Sequence, residues 1–92
     1  MNKDLAISFT NQEWENSIIQ ELVKYIRVPN KSPAFDPNWQ ANGYMEEVVE
    51  QFVSWSKRQN IEGMKLDVVR LPERTPLIYI DIPGDIKNTV LL

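Results

Sequence analysis

The stretch Leu66-Asp67-Val68-Val69-Arg70-Leu71-Pro72-Glu73-Arg74-Thr75-Pro76-Leu77-Ile78-Tyr79-Ile80-Asp81-Ile82 decides the fold class. Leu66, Val68 and Arg70 alternate with Asp67, Val69 and Leu71, the period of two that places successive side chains on opposite faces of a strand. Leu77 to Ile82 is rich in β-branched and aromatic residues, which pack well on a pleated surface. Pro72 to Pro76 separates the two runs and cannot continue either of them. Two strands joined by so short a turn pair antiparallel, so the stretch predicts a hairpin. Ile78, Ile80 and Ile82 share one face, and that face is expected to lie against helices.

Upstream the period changes to that of helices. Thr10-Asn11-Gln12-Glu13 reads as a capping box, with Thr10 accepting from a backbone N–H three residues on and Glu13 reaching back. Behind it Trp14, Ile18, Ile19, Leu22, Val23 and Ile26 recur at three- and four-residue steps and form an apolar stripe. Glu13, Glu15, Gln20, Glu21, Lys24 and Arg27 are expected on the opposite face. Val28-Pro29 ends this helix, because a residue before Pro is pushed out of the α region. The loop from Val28 to Pro37 contains three Pro and holds no regular structure. Asp36-Pro37 reads as an N-cap followed by Pro in the first helical position.

A second helix is predicted from about Asn38 to Gln59, with a break near Asn42-Gly43, since Gly inside a helix costs about 1 kcal/mol. Met45, Val48, Val49, Phe52, Val53 and Trp55 face inward, and Glu46, Glu47, Glu50 and Gln51 outward. Beyond the hairpin, Pro83-Gly84-Asp85 is a turn and Asn88-Thr89-Val90-Leu91-Leu92 reads as the opening of a third strand, covered on both faces. The expected architecture is α/β, locally α+β: two amphipathic helices, a hairpin, and the start of a third strand of a larger mixed sheet. Domains seldom stop inside such a strand, so the chain reads as a piece of a longer one.

Composition narrows the chemistry. The 92 residues contain no His and no Cys. The commonest metal ligand, the usual general base near neutral pH and all thiolate chemistry are therefore missing. Without His, Ser8, Ser17, Ser32, Ser54 and Ser56 cannot enter a Ser-His-Asp arrangement. Net charge is −3, with the charges dispersed, so the basic stripe of a nucleic-acid binder is absent. No apolar run approaches the length of a bilayer span. Nothing at the start reads as a secretory signal, and a chain without Cys suits a reducing compartment, which makes the cytoplasm the default.

Three stretches carry a resemblance: Tyr25 to Pro33 (Tyr-Ile-Arg-Val-Pro-Asn-Lys-Ser-Pro), Phe35-Asp36-Pro37-Asn38-Trp39, and Ala41-Asn42-Gly43-Tyr44-Met45. Gly63-Met64-Lys65-Leu66, Arg70 to Ile78 and Asn88 to Leu92 continue it. Together they resemble the beginning of the dinuclear-zinc peptidase family that includes carnosinases, aminoacylases, succinyl-diaminopimelate desuccinylases and acetylornithine deacetylases. Glu73 departs from the Gly that the family carries before Arg-Thr-Pro. The resemblance implies that residues 1–92 are the N-terminal part of a catalytic domain, ending before a His-x-Asp segment that supplies the first zinc ligand. It implies zinc in the parent protein and none in this segment, and a small peptide or N-acyl amino acid as the parent's substrate. The family's catalytic and metal positions fall on no residue here, so the expected catalytic, cofactor and metal residues within 1–92 are none. The alternative is a free-standing α+β interaction module without catalysis.

Other candidates read as scaffold. Glu46, Glu47 and Glu50 form a carboxylate cluster suited to a hard cation, but they sit opposite Met45, Val49 and Phe52 and read as a solvated face. Asp81 and Asp85 flank a turn. Gly63 and Gly84 are isolated and make no phosphate-cradling loop. Arg70 and Arg74 flank the hairpin turn and read as surface charge. Trp14 and Trp55 read as core anchors, and Trp39 as a pin for the proline loop. Apolar faces left without cover associate, so the isolated chain is expected to self-associate or to be partly molten.

Overall fold

The computed structural model describes residues 1–85 and 87–92. Helices come first and an antiparallel hairpin last, the α+β arrangement read from the sequence. The first helix opens earlier than the capping-box reading predicts. Helix α1 spans Lys3–Glu13, a π-helical turn covers Trp14–Ile18, and α2 spans Ile19–Arg27 without interruption. The N-cap is Asn2, whose Oδ1 accepts from the Leu5 N–H at 3.1 Å. Thr10 stands inside the helix and its hydroxyl donates to the Ala6 carbonyl at 2.9 Å, as mid-helix Ser and Thr side chains do. The capping box is not formed, because an N-cap needs extended backbone and Thr10 is helical. The end falls where Pro dictates: Val28 is extended (φ −78°, ψ 120°).

In the proline loop, Asp36 organises the next helix without capping it directly. Its Oδ1 accepts from the Asn38 N–H at 3.0 Å and its Oδ2 from the Asn42 side-chain amide at 2.8 Å. The four-residue helix α3 therefore starts at Trp39 rather than Pro37, with Asn38 as its N-cap. Gly43 breaks the helical run in the left-handed region (φ 76°), and α4 continues from Tyr44–Arg58. The break read at Asn42-Gly43 is present.

Helices α2 and α4 run antiparallel. Tyr25 meets Phe52 with ring centroids 5.1 Å apart, and the Trp55 indole N–H donates to the Ser17 hydroxyl at 3.0 Å. The seam on this side is thus Ser17 of the π-helical turn with Glu21 and Tyr25 of α2, rotated from the apolar stripe. Glu21 and Gln51, both expected to face outward, lie in it and are half-buried. Gln51 Nε2 donates to the Glu21 carbonyl at 2.8 Å and to its carboxylate at 3.1 Å. Arg58 donates to the same carboxylate at 2.9 Å.

The sheet has two strands, β1 (Lys65–Val69) and β2 (Leu77–Asp81), with Leu66 opposite Ile80, Val68 opposite Ile78 and Val69 opposite Leu77. In the connecting loop the Arg74 N–H donates to the Leu71 carbonyl at 3.1 Å. Pro72 stands at the first central position and Glu73, at φ 59°, at the second, the pattern of a type II turn.

Two expectations fail here. Asn88 to Leu92 does not form a strand: a strand needs an edge to pair with, and none reaches it among the described residues. The face of Ile78, Ile80 and Ile82 is not buried against helices either. Ile78 is half-buried, while Ile80 and Ile82 are 40% and 51% exposed.

The core is correspondingly small. Val48 and Val49 are the only buried hydrophobic residues among those described. Trp14, expected as a core anchor, is 44% exposed, and Ile19, Leu22, Val23 and Ile26 are exposed as well. The accessible surface is 8001 Å² for a 10.8 kDa chain, against about 5,500 Å² for a compact monomer of that mass. The radius of gyration is 16.2 Å, where about 12 Å is usual. Large areas of apolar surface stand open.

Candidate functional site

A concavity lies where α3, the start of α4 and the hairpin loop meet. It has a volume of about 160 Å³. Trp39, Met45, Leu71 and Pro76 supply apolar wall, and Gln40, Glu46, Arg70 and Arg74 supply polar groups. Local chemistry explains the shape. Asp36 fixes the start of α3 and so positions Trp39, the Gly43 break turns α4 away from α3, and the type II turn brings Arg74 and Leu71 to the rim.

Arg70 and Glu46 tie the hairpin to α4. The Arg70 guanidinium makes two hydrogen bonds to the Glu46 carboxylate, at 3.2 and 2.7 Å. This fork-to-fork geometry is the stronger form of ion pair. The hydrogen bond from Arg70 holds the Glu46 carboxyl below its ordinary value, and the same bond raises Arg70. Both side chains stay about half exposed, so solvent screens much of the attraction. Arg70, read as surface charge, therefore has a definite partner 24 residues away.

The remaining candidates are dispersed. Glu46 is committed to Arg70, while Glu47 and Glu50 are exposed on α4. Asp85 accepts from the Lys87 N–H at 2.9 Å and the Asn88 amide at 2.7 Å, which lowers its pKa and closes a local turn. Glu21 is lowered first by the Gln51 hydrogen bond, with Lys24 and Arg58 adding to it. Ser17 accepts the Trp55 indole and has a structural duty.

Zinc asks for three or four converging His, Cys or carboxylate ligands. The chain has no His or Cys, and among the described residues no three Asp or Glu side chains converge. The residues present do not fit a zinc ion. Among the described residues no helix is long and apolar enough to cross a membrane.

Sequence reading missed the Glu21–Gln51–Arg58 and Ser17–Trp55 contacts. A signal for them exists: Ser17, Glu21 and Tyr25 step by four from the π-helical turn into α2, and Val48, Gln51, Trp55 and Arg58 step by three and four along α4. Two rows of mixed polar and apolar residues at helical spacing are a seam as legitimate as a purely apolar one. No protein-family model and no curated protein matches the chain.

Proposed function

We propose that residues 1–92 are the opening scaffold segment of a zinc-dependent hydrolase that cleaves amide bonds of dipeptides or N-acyl amino acids. The observation that carries the scaffold reading is the open surface. At 8001 Å² the chain exposes roughly 2,500 Å² more than a compact monomer of its mass. The excess is apolar in large part, including Leu5, Phe9, Ile26, Leu71, Leu77 and Val90. Such surface asks for further protein to cover it.

The hydrolase part rests on the resemblance, and one feature of the fold supports it. The resembling stretches are separate in sequence, yet they converge: every residue lining the groove except Gln40 and Glu46 comes from them. Glu73 adds a second support. The family's Gly precedes Arg-Thr-Pro at the position that adopts φ 59° in this chain, a conformation for which Gly is the default. In this reading the catalytic and metal-binding groups come from outside residues 1–92, and the segment positions them. A cytoplasmic setting belongs to the same proposal, and a chain without Cys suits it.

The test uses the protein encoded by the complete gene. Metal analysis and hydrolysis assays on dipeptides and N-acyl amino acids should find bound zinc and amide cleavage. A full gene product with neither zinc nor hydrolysis sinks the reading and leaves the free-standing interaction module.

A further inference from the structure

The hairpin forms one wall of the groove, and we propose that it is a flap, hinged at the α4–β1 connection and latched shut by the Arg70–Glu46 fork. Only the six residues 59–64 join α4 to β1. Two of them lie in the left-handed region, Asn60 at φ 52° and Gly63 at φ 74°. Arg70, just past β1, reaches Glu46 in the first turn of α4, so β1 runs back along the helix. The lengths agree with this course. From Glu46 to Arg58 the helix measures about 18 Å, and from Lys65 to Arg70 the extended chain measures about 17 Å. The fork therefore stands at the end of the flap farthest from the hinge.

Little else fixes the angle of the flap. On its inner face Leu66, Val68 and Ile78 are only half-buried and Ile80 is 40% exposed, and apolar contact is non-directional. Among the described residues, the two bonds of the fork are the only hydrogen bonds between the helices and the strands. A guanidinium meets a carboxylate two-pronged in one planar orientation, so the fork sets an angle as well as a distance. Both side chains are about half exposed, which keeps the pair weak enough to open. Trp39 and Met45 stand on the helical wall of the groove, Leu71, Arg74 and Pro76 on the flap, and the latch bridges the two walls. Opening it widens the groove: with an arm of about 20 Å from Lys65 to Leu71, a tilt of about 15° carries the tip through about 5 Å. The inference concerns one joint within the chain, needs no free outer surface, and does not rest on the hydrolase reading.

The test is a distance measurement on the product of the complete gene. Nitroxides carried on p-acetylphenylalanine replace the exposed Glu50 on α4 and Thr75 at the tip of the flap, and pulsed electron paramagnetic resonance reads their separation. The wild-type latch should give one narrow distance. Arg70→Lys keeps the charge but cannot make the fork, and Arg70→Glu repels Glu46; both should broaden or shift the distribution by about 5 Å, the swing of the arm. Arg70→Glu combined with Glu46→Arg restores a fork of reversed polarity and should restore the narrow distance, which separates loss of the latch from general damage to the fold. A broad wild-type distribution, an Arg70→Glu variant as narrow as wild type, an Arg70→Lys variant indistinguishable from wild type, or a reversed pair that stays broad would each overturn the proposal.

Discussion

Glu73 is the residue whose replacement should make the chain more stable. It holds φ 59° at the second central position of the Leu71–Arg74 turn. For an L-residue the left-handed region costs about 1–2 kcal/mol, because Cβ crowds the following carbonyl oxygen. Glycine removes that crowding but frees the unfolded chain, which offsets about 0.4–1 kcal/mol. Glu73→Gly should therefore raise stability by about 0.5–1 kcal/mol. In a domain this small that is a rise in midpoint of about 2–8 °C. The assay is thermal unfolding by circular dichroism, with Glu73→Ala as the control. Alanine keeps the Cβ and the strain, so it should stay within about 0.5 kcal/mol of the parent. The reasoning is refuted if Glu73→Ala stabilises as much as Glu73→Gly, since the side chain rather than the backbone would then be at fault.

Gly63 is the converse case: at φ 74° an added Cβ would sit 2.7 Å from Cγ of the Pro83 ring, so Gly63→Ala should destabilise by about 1–3 kcal/mol in urea unfolding. Val48 is 4% exposed and Ile80 is 40% exposed, so Val48→Ala should cost about 2 kcal/mol and Ile80→Ala about 1 kcal/mol in the isolated chain; a larger loss at Ile80 would mean that its face is covered. The Glu46 carboxyl is held below its ordinary pKa, so its contribution is present above the unfolded-state value and disappears as pH falls through the folded one. Glu46→Gln should then flatten part of the acid limb of a stability-against-pH curve and leave stability near pH 9 as insensitive to pH as before.

Legibility followed the range of the forces involved. The hairpin, the end of α2 at Val28 and the break at Gly43 are local consequences of alternation, a following Pro and a missing Cβ, and all three were readable. The start of α1 was not, because Thr-x-x-Glu fits a helix interior as well as a cap, and Asn2 gave no competing apolar pattern behind it. The α2–α4 seam escaped because hydrophobicity points to Leu22 and Val23, whereas Glu21 and Gln51 satisfy each other across the interface. Burial of Ile80 was over-read for a different reason. The pattern of a buried strand records the surroundings for which a sequence is suited, and the described residues do not supply them. The Arg70–Glu46 pair spans two elements and left no trace in spacing.

The reading frame beyond codon 92 tests the central claim most directly. Continuation of the frame with a His-x-Asp segment within a few residues of Leu92 is the predicted result, because it would place a zinc ligand just past the segment that this fold positions. A stop codon immediately after Leu92 in the natural gene would contradict the account and leave a chain with a groove, an open hairpin face and no chemistry of its own.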